Sequence, residues 1–115
     1  MTGVQTCALP ISDEQISASS QKDDNYAANR ARLNMKISGI KQGGWLPLTS
    51  DLNQWLQVEL GGYTTVTGVA TQGRNGYDQW VTKYRLQFSY DGVTYHLYKE
   101  RGGNSGKVCC LSPFW

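Results

Sequence analysis

The chain is 115 residues long, with 11 Lys+Arg against 9 Asp+Glu, 17% charged residues and 39% hydrophobic ones. That length allows one small domain and excludes a two-domain enzyme, while the apolar and aromatic content excludes intrinsic disorder. No apolar run approaches the ~18–20 residues of a membrane span, and a net charge of +2 leaves no electrostatic footprint for nucleic acid.

The charge is unevenly placed. Nine acids and nine bases fall between Ser12 and Glu100, so the excess comes from Arg101 and Lys107 alone. The three cysteines, Cys7, Cys109 and Cys110, also sit near the ends. An odd count leaves at least one thiol unpaired within a monomer, and adjacent cysteines rarely pair because the disulfide would be strained. A zinc site needs about four ligands, and the lone His96 has no ligand-spaced neighbour.

Residues 1–11, MTGVQTCALPI, have no basic region, no apolar stretch, no strand alternation and no helical stripe. They read as the in-frame translation of a widely used short-read sequencing adapter, and are expected to be an unstructured artefact outside the fold. The next segment, 16–19, reads as a short strand. Residues 27–35, AANRARLNM, have room for one helical turn but carry no sustained apolar stripe. From Gln54 the chain alternates, with Leu56, Val58 and Leu60 on one face and Gln57 and Glu59 on the other, until Gly61-Gly62 stops it. Residues 64–71, TTVTGVAT, are rich in β-branched side chains and read as a further strand.

The clearest pattern is 83–90, where Tyr84, Leu86, Phe88 and Tyr90 alternate with Lys83, Arg85, Gln87 and Ser89. Asp91-Gly92 supplies a turn, because glycine accepts positive φ without steric cost, and Val93, Tyr95 and Leu97 resume the alternation as a hairpin. His96 falls on the opposite parity and is expected to be exposed. Gly102, Gly103 and Gly106 then break the pattern. The crowded end, Cys109 to Trp115, is expected to be irregular, from intron read-through or a frameshift. Short strands with polar loops at 20–30, 41–53 and 73–79 indicate a β-sandwich or jelly roll.

Several pieces are then specific together: Asp13-Glu14-Gln15-Ile16-Ser17-Ala18-Ser19-Ser20, Ala31-Arg32-Leu33-Asn34, Gly44-Trp45, the run from Asn53 to Gly61, the run from Val66 to Gly73, Trp80-Val81-Thr82-Lys83-Tyr84, and Phe88-Ser89-Tyr90-Asp91-Gly92. In this order and spacing they resemble the discoidin domain, or coagulation factor 5/8 type C domain, over residues 12 to about 100. The resemblance implies an all-β, galactose-binding-like jelly-roll β-sandwich of eight strands, here incomplete because the family pattern continues past residue 100 with further strands and a closing cysteine. Together with the adapter-like leader and the changed character of the end, it divides the chain into the leader artefact 1–11, a partial discoidin domain 12–100 and the irregular tail 101–115. It also implies an extracellular, non-catalytic module whose loops at one end of the barrel bind cell-surface glycans, anionic phospholipids, collagen or protein receptors.

Three loops are candidates for that surface. The first holds Lys22, Asp23, Asp24, Asn25 and Tyr26 after Gln21. Its two acids oppose membrane insertion, since a desolvated charge resists what apolar burial drives. Asp23 and Asp24 could supply oxygen ligands to Ca²⁺ or simply serve a solvated turn. The second, 46–52, carries Leu46, Leu48 and Leu52, either as an exposed apolar tip or packed under the sheet. The third holds Arg74, Asn75, Tyr77 and Asp78. A tyrosine face covers apolar C–H patches of a sugar while planar polar groups bond its hydroxyls. Trp55 and Trp80 read as core or rim packing and Trp45 is left open between packing and a ligand platform. Arg30 and Arg32 read as ion-pairing or loop-anchoring residues.

No nucleophile–base pair or acid–base dyad is present in the sequence. The expected function is therefore recognition or cell adhesion through a cell-surface glycan, glycoprotein or extracellular matrix protein, with no nucleic acid partner. An anionic-phospholipid anchor, or a carbohydrate-binding module appended to a glycoside hydrolase, is the alternative. No cofactor is expected beyond the calcium considered at Asp23 and Asp24. The setting is the cell exterior or surface, within a larger secreted or membrane protein.

Overall fold

The computed structural model describes residues 11–99. The leader apart from Ile11, the tail 101–115 and all three cysteines lie outside the described residues.

The Ser12 backbone N–H donates to Gln15 Oε1 at 2.9 Å, fixing a 3-10 turn over Asp13–Gln15 that leads into β1, Ile16–Ala18. β1 pairs antiparallel with β2, Leu56–Val58, in the register Ile16↔Val58, Ser17↔Gln57 and Ala18↔Leu56. Backbone bonds from Ser19 to Trp55 and from Glu59 to Gln15 extend the pairing at both ends. The parity read from the sequence holds: Leu56 is buried, and Val58 and Leu60 are half-buried. A second antiparallel pair joins β3, Gln87–Phe88, to β4, His96–Leu97. Asp91 shapes its loop by accepting from the Val93 and Thr94 N–H groups, and Gly92 takes φ 72°. The Tyr95 hydroxyl donates to Gln57 Oε1 at 2.7 Å, tying the hairpin to β2.

The core gathers around Trp45, which is 0% exposed. Ile16, Leu56, Ala28 and Ala31 complete it, with Ile11, Ala18, Val81 and Tyr84 packed against it. The indole N–H donates to the Ser20 carbonyl at 2.8 Å, so Trp45 is a packing residue with its polar atom satisfied, not a ligand platform. The small Ala28 and Ala31 belong to another 3-10 turn, Ala28–Ala31, and allow that turn to lie close against β1. Arg30 anchors its surroundings by donating to the carbonyls of Gln42 and Lys36. Arg32 donates to the Ile11 carbonyl and pairs with Asp13 at 2.7 Å. Hydrogen bonding from Arg32, then from Asn29, holds the Asp13 carboxyl below its ordinary range. Both arginines thus anchor the chain as expected.

Two sequence expectations need correction. Residues 64–71 form no strand ladder among the described residues and are almost wholly exposed. β-Branched composition favours a paired, pleated surface rather than a strand in isolation, and no described neighbour pairs with this segment. The 83–90 strand contracts to Gln87–Phe88: Tyr84 and Leu86 are half-buried, but Phe88 and Tyr90 are 43% and 72% exposed. Trp55 and Trp80, read as core or rim packing, take the rim, at 41% and 55% exposure. His96 is exposed, with its ring 5.5 Å from that of Phe88.

Candidate functional site

The first loop leaves β1 at Ser19 and is shaped by its own side chains. Asp23 caps a short 3-10 turn, Asp24–Tyr26, by accepting from the Asn25 N–H at 2.7 Å. Asp24 accepts from Gln21 Nε2 at 3.1 Å. Both carboxylates thus serve turn geometry, the usual local role of aspartate. Among the described residues no three His, Cys, Asp or Glu side chains are grouped to hold a metal ion.

Backbone bonds fasten the first loop to its neighbours. Lys22 N–H donates to the Leu46 carbonyl, Leu46 N–H to the Tyr26 carbonyl, and Gln42 N–H to the Asn25 carbonyl. These bonds divide the leucines of the second loop: Leu46 is held half-buried, while Leu48 and Leu52 are 66% and 57% exposed.

The third loop is closed by Arg74 N–H donating to the Gln79 carbonyl at 2.9 Å, with Gly76 at φ 79° making the bend. It approaches residues 35–43 very closely. Asn75 N–H donates to the Gly43 carbonyl and Asn75 Oδ1 accepts from the Ile37 N–H. A Cβ on Gly43 would lie 2.6 Å from Asn75 Cβ, so only glycine fits there.

Arg74 joins the loops. Its side chain is 8% exposed, and its guanidinium donates to Gln79 Oε1 at 2.7 Å, Gln42 Oε1 at 2.6 Å and the Tyr26 hydroxyl at 3.4 Å. It also lies over two rings, 5.0 Å from the Tyr26 centroid and 3.7 Å from that of Tyr77. Lys22 Nζ sits 5.1 Å from the Tyr26 centroid, so cations and rings alternate as Lys22, Tyr26, Arg74, Tyr77. Arg74, expected among the ligand-loop residues, is buried, with its guanidinium against the Tyr77 ring. Tyr77 remains 54% exposed, and Asn75 and Asp78 are exposed beside it.

The structure therefore brings Lys22, Asn25, Tyr26, Leu46, Arg74, Asn75 and Tyr77 into one connected region. Asp23 and Asp24 lie at its edge, and Leu48 beside it, where its N–H donates to Ser20 Oγ. Two polar residues in or beside this region were not singled out from the sequence. Gln42, in an unpatterned loop, gives no signal. Gln54 does: it shares the inward parity of Leu56. It is buried, accepts from the Ser19 and Ser20 hydroxyls, and donates to Asp51 and Thr49.

Comparison with known proteins agrees with this architecture. The F5/8 type C domain pattern matches residues 15–108. Retinoschisin of Mus musculus is 35% identical over 101 residues, which cover 83% of this chain and 44% of that protein. The chain thus spans less than half the length of this curated relative. With the pattern matched along most of its length, the chain belongs to the F5/8 type C domain family.

Proposed function

We propose that this chain is an extracellular recognition module that binds a cell-surface glycan or glycoprotein through the joined surface of its first and third loops. The observation that carries this reading is the seating of Tyr77. Arg74 covers one side of its ring, yet the residue stays half-exposed, with Asn75 and Asp78 adjacent. An amphipathic ring with fixed polar neighbours suits a sugar, which presents C–H patches and directed hydroxyls together. The module itself is non-catalytic. It needs no resident metal, a reading supported by the turn-forming roles of Asp23 and Asp24. It acts outside the cell as part of a larger secreted or membrane protein.

A glycan microarray probed with the full chain tests this. Tyr77→Ala is expected to lose about ten-fold or more in apparent affinity, the scale of an aromatic anchor, and signal in EDTA is expected to equal that in calcium. Binding to no glycan above background, or full retention by Tyr77→Ala, overturns the reading.

The exposure of Leu48 and Leu52 favours one second reading, an anionic-phospholipid surface anchor. Co-sedimentation with phosphatidylserine vesicles, abolished by Leu48→Ser and Leu52→Ser together, would support it over the glycan. Attachment to a glycoside hydrolase is a property of flanking sequence and would leave the loop chemistry unchanged.

A further inference from the structure

We infer that Arg74 is a positioning residue that makes the first and third loops a single preorganised unit, so that the exposed ring of Tyr77 is held by a cation stacked against Tyr26. The inference rests on the proposed binding surface and adds to it the device that fixes its shape.

Arg74 is a buried cation with no carboxylate partner among the described residues; its hydrogen bonds all go to neutral oxygens. Its Nε is buried without a hydrogen-bond partner. Burying a charge on such terms is costly unless other groups favour the cation. The faces of Tyr26 and Tyr77 do so through their ring quadrupoles, most effectively where water is excluded. The guanidinium therefore depends on both rings, and each ring's place depends on the guanidinium.

The connections make this a coupling between loops and not local packing alone. Tyr26 lies in the first loop and Tyr77 in the third, while Gln42 bridges them, its side chain accepting from Arg74 and its N–H donating to Asn25. Lysine cannot replace arginine here: its ammonium is neither planar for stacking nor forked for Gln42 and Gln79 together. Methionine matches the length and apolar stem, so it would be tolerated if Arg74 merely filled space.

Amide hydrogen exchange by NMR on the full chain tests the inference without a ligand. Arg74→Lys and Arg74→Met are each expected to speed exchange about ten-fold or more at the Gln42, Leu46 and Asn75 amides, which fasten the loops together. The Ser19 and Glu59 amides, which extend the β1–β2 pairing, are expected to stay protected. Tyr77→Leu is expected to loosen the Gln42 amide in the wild-type background but add nothing to Arg74→Met. Unchanged exchange at Gln42 and Leu46, equal acceleration at Ser19 and Glu59, or additive effects of Tyr77→Leu and Arg74→Met would overturn the coupling. A wild-type chain that binds no glycan would overturn the proposed function while leaving these exchange results intact.

Discussion

Replacing Trp45 tests the packing argument at its centre. The side chain is 0% exposed against Ile16, Ala28, Ala31 and Leu56, and its indole N–H donates to the Ser20 carbonyl. Two substitutions separate shape from hydrogen bonding. Truncating a buried aromatic residue to alanine costs about 3–5 kcal/mol, cavity included. Trp45→Phe keeps much of the ring area but orphans the Ser20 carbonyl, at a cost of about 1–3 kcal/mol. Folded domains hold roughly 5–15 kcal/mol in total, and five hydrophobic residues are buried in the core among the described residues. Trp45→Ala should therefore remove most of the margin and abolish the folding transition. At about 4–8 °C per kcal/mol for a domain of this size, Trp45→Phe should lower the midpoint by roughly 5–25 °C. Far-UV circular dichroism is the suitable probe, because fluorescence mixes buried Trp45 with the exposed Trp55 and Trp80. Glycan binding per folded molecule should be the same for Trp45→Phe and wild type. A wild-type midpoint for Trp45→Ala, or identical midpoints for the two variants, would refute the reasoning.

Other positions give narrower tests. Asp91 accepts hydrogen bonds from Thr94 and Val93 N–H groups and from Ser89, which pull its pKa down to about 2. A folded pKa below the unfolded value means that its contribution is present above about pH 4 and fades as pH falls toward the folded pKa; an NMR pH titration checks this, and Asp91→Asn should remove that share of the acid sensitivity. Gly43→Ala places a Cβ 2.6 Å from Asn75 Cβ, so it should cost about 1–3 kcal/mol by overpacking and shift the Asn75 and Tyr77 amide resonances. Gln54→Leu strips partners from Asp51, Thr49, Ser19 and Ser20; a loss of about 1–3 kcal/mol is expected by urea denaturation. The same change should raise the Asp51 pKa toward the ordinary carboxylate range, since Gln54 is the first cause of its lowering.

What the sequence revealed depended on how local the governing physics was. β1, β2 and the hairpin were legible because alternation and the Asp91-Gly92 turn act over a few residues. The structural roles of Arg30 and Arg32 were legible through family spacing. The burial of Arg74 was not legible because its partners Tyr26 and Gln42 lie 48 and 32 residues away, and nothing local distinguishes a buried loop arginine from an exposed one. Residues 64–71 failed for the opposite reason: local propensity was strong, but a strand also requires a partner. Trp45 could not be resolved from its neighbours, because the close approach at Gly43 is made to Asn75, 32 residues away in sequence, and leaves no local sign of the indole's burial. Gln54 was legible in principle, since inward parity on a strand beside Leu56 predicts burial, and a buried glutamine implies partners.

A second exposed aromatic face lies away from the proposed site, on the hairpin and Tyr63, and the distinction bears on specificity. Tyr63, Phe88, Tyr90 and His96 form a chain of ring contacts 5.5–5.9 Å apart, with Tyr63 90% and Tyr90 72% exposed. Such a face offers area, and area alone attracts any apolar surface. Recognition of one partner over another requires polar groups held in set directions, because a wrong ligand then leaves them unpaired. The first and third loops have that property. Asn75 is pinned by Ile37 and Gly43, Tyr77 is stacked on a guanidinium that is itself fixed by Gln42 and Gln79, and Asp78 projects from the same short loop. The rings of this face pack against one another, with no hydrogen bond among these contacts to set their direction. Substituting Tyr90→Ser should therefore reduce nonspecific adsorption while leaving glycan selectivity unchanged, whereas Tyr77→Ala should do the reverse. Loss of selectivity in Tyr90→Ser would move the binding surface from the loops to the hairpin.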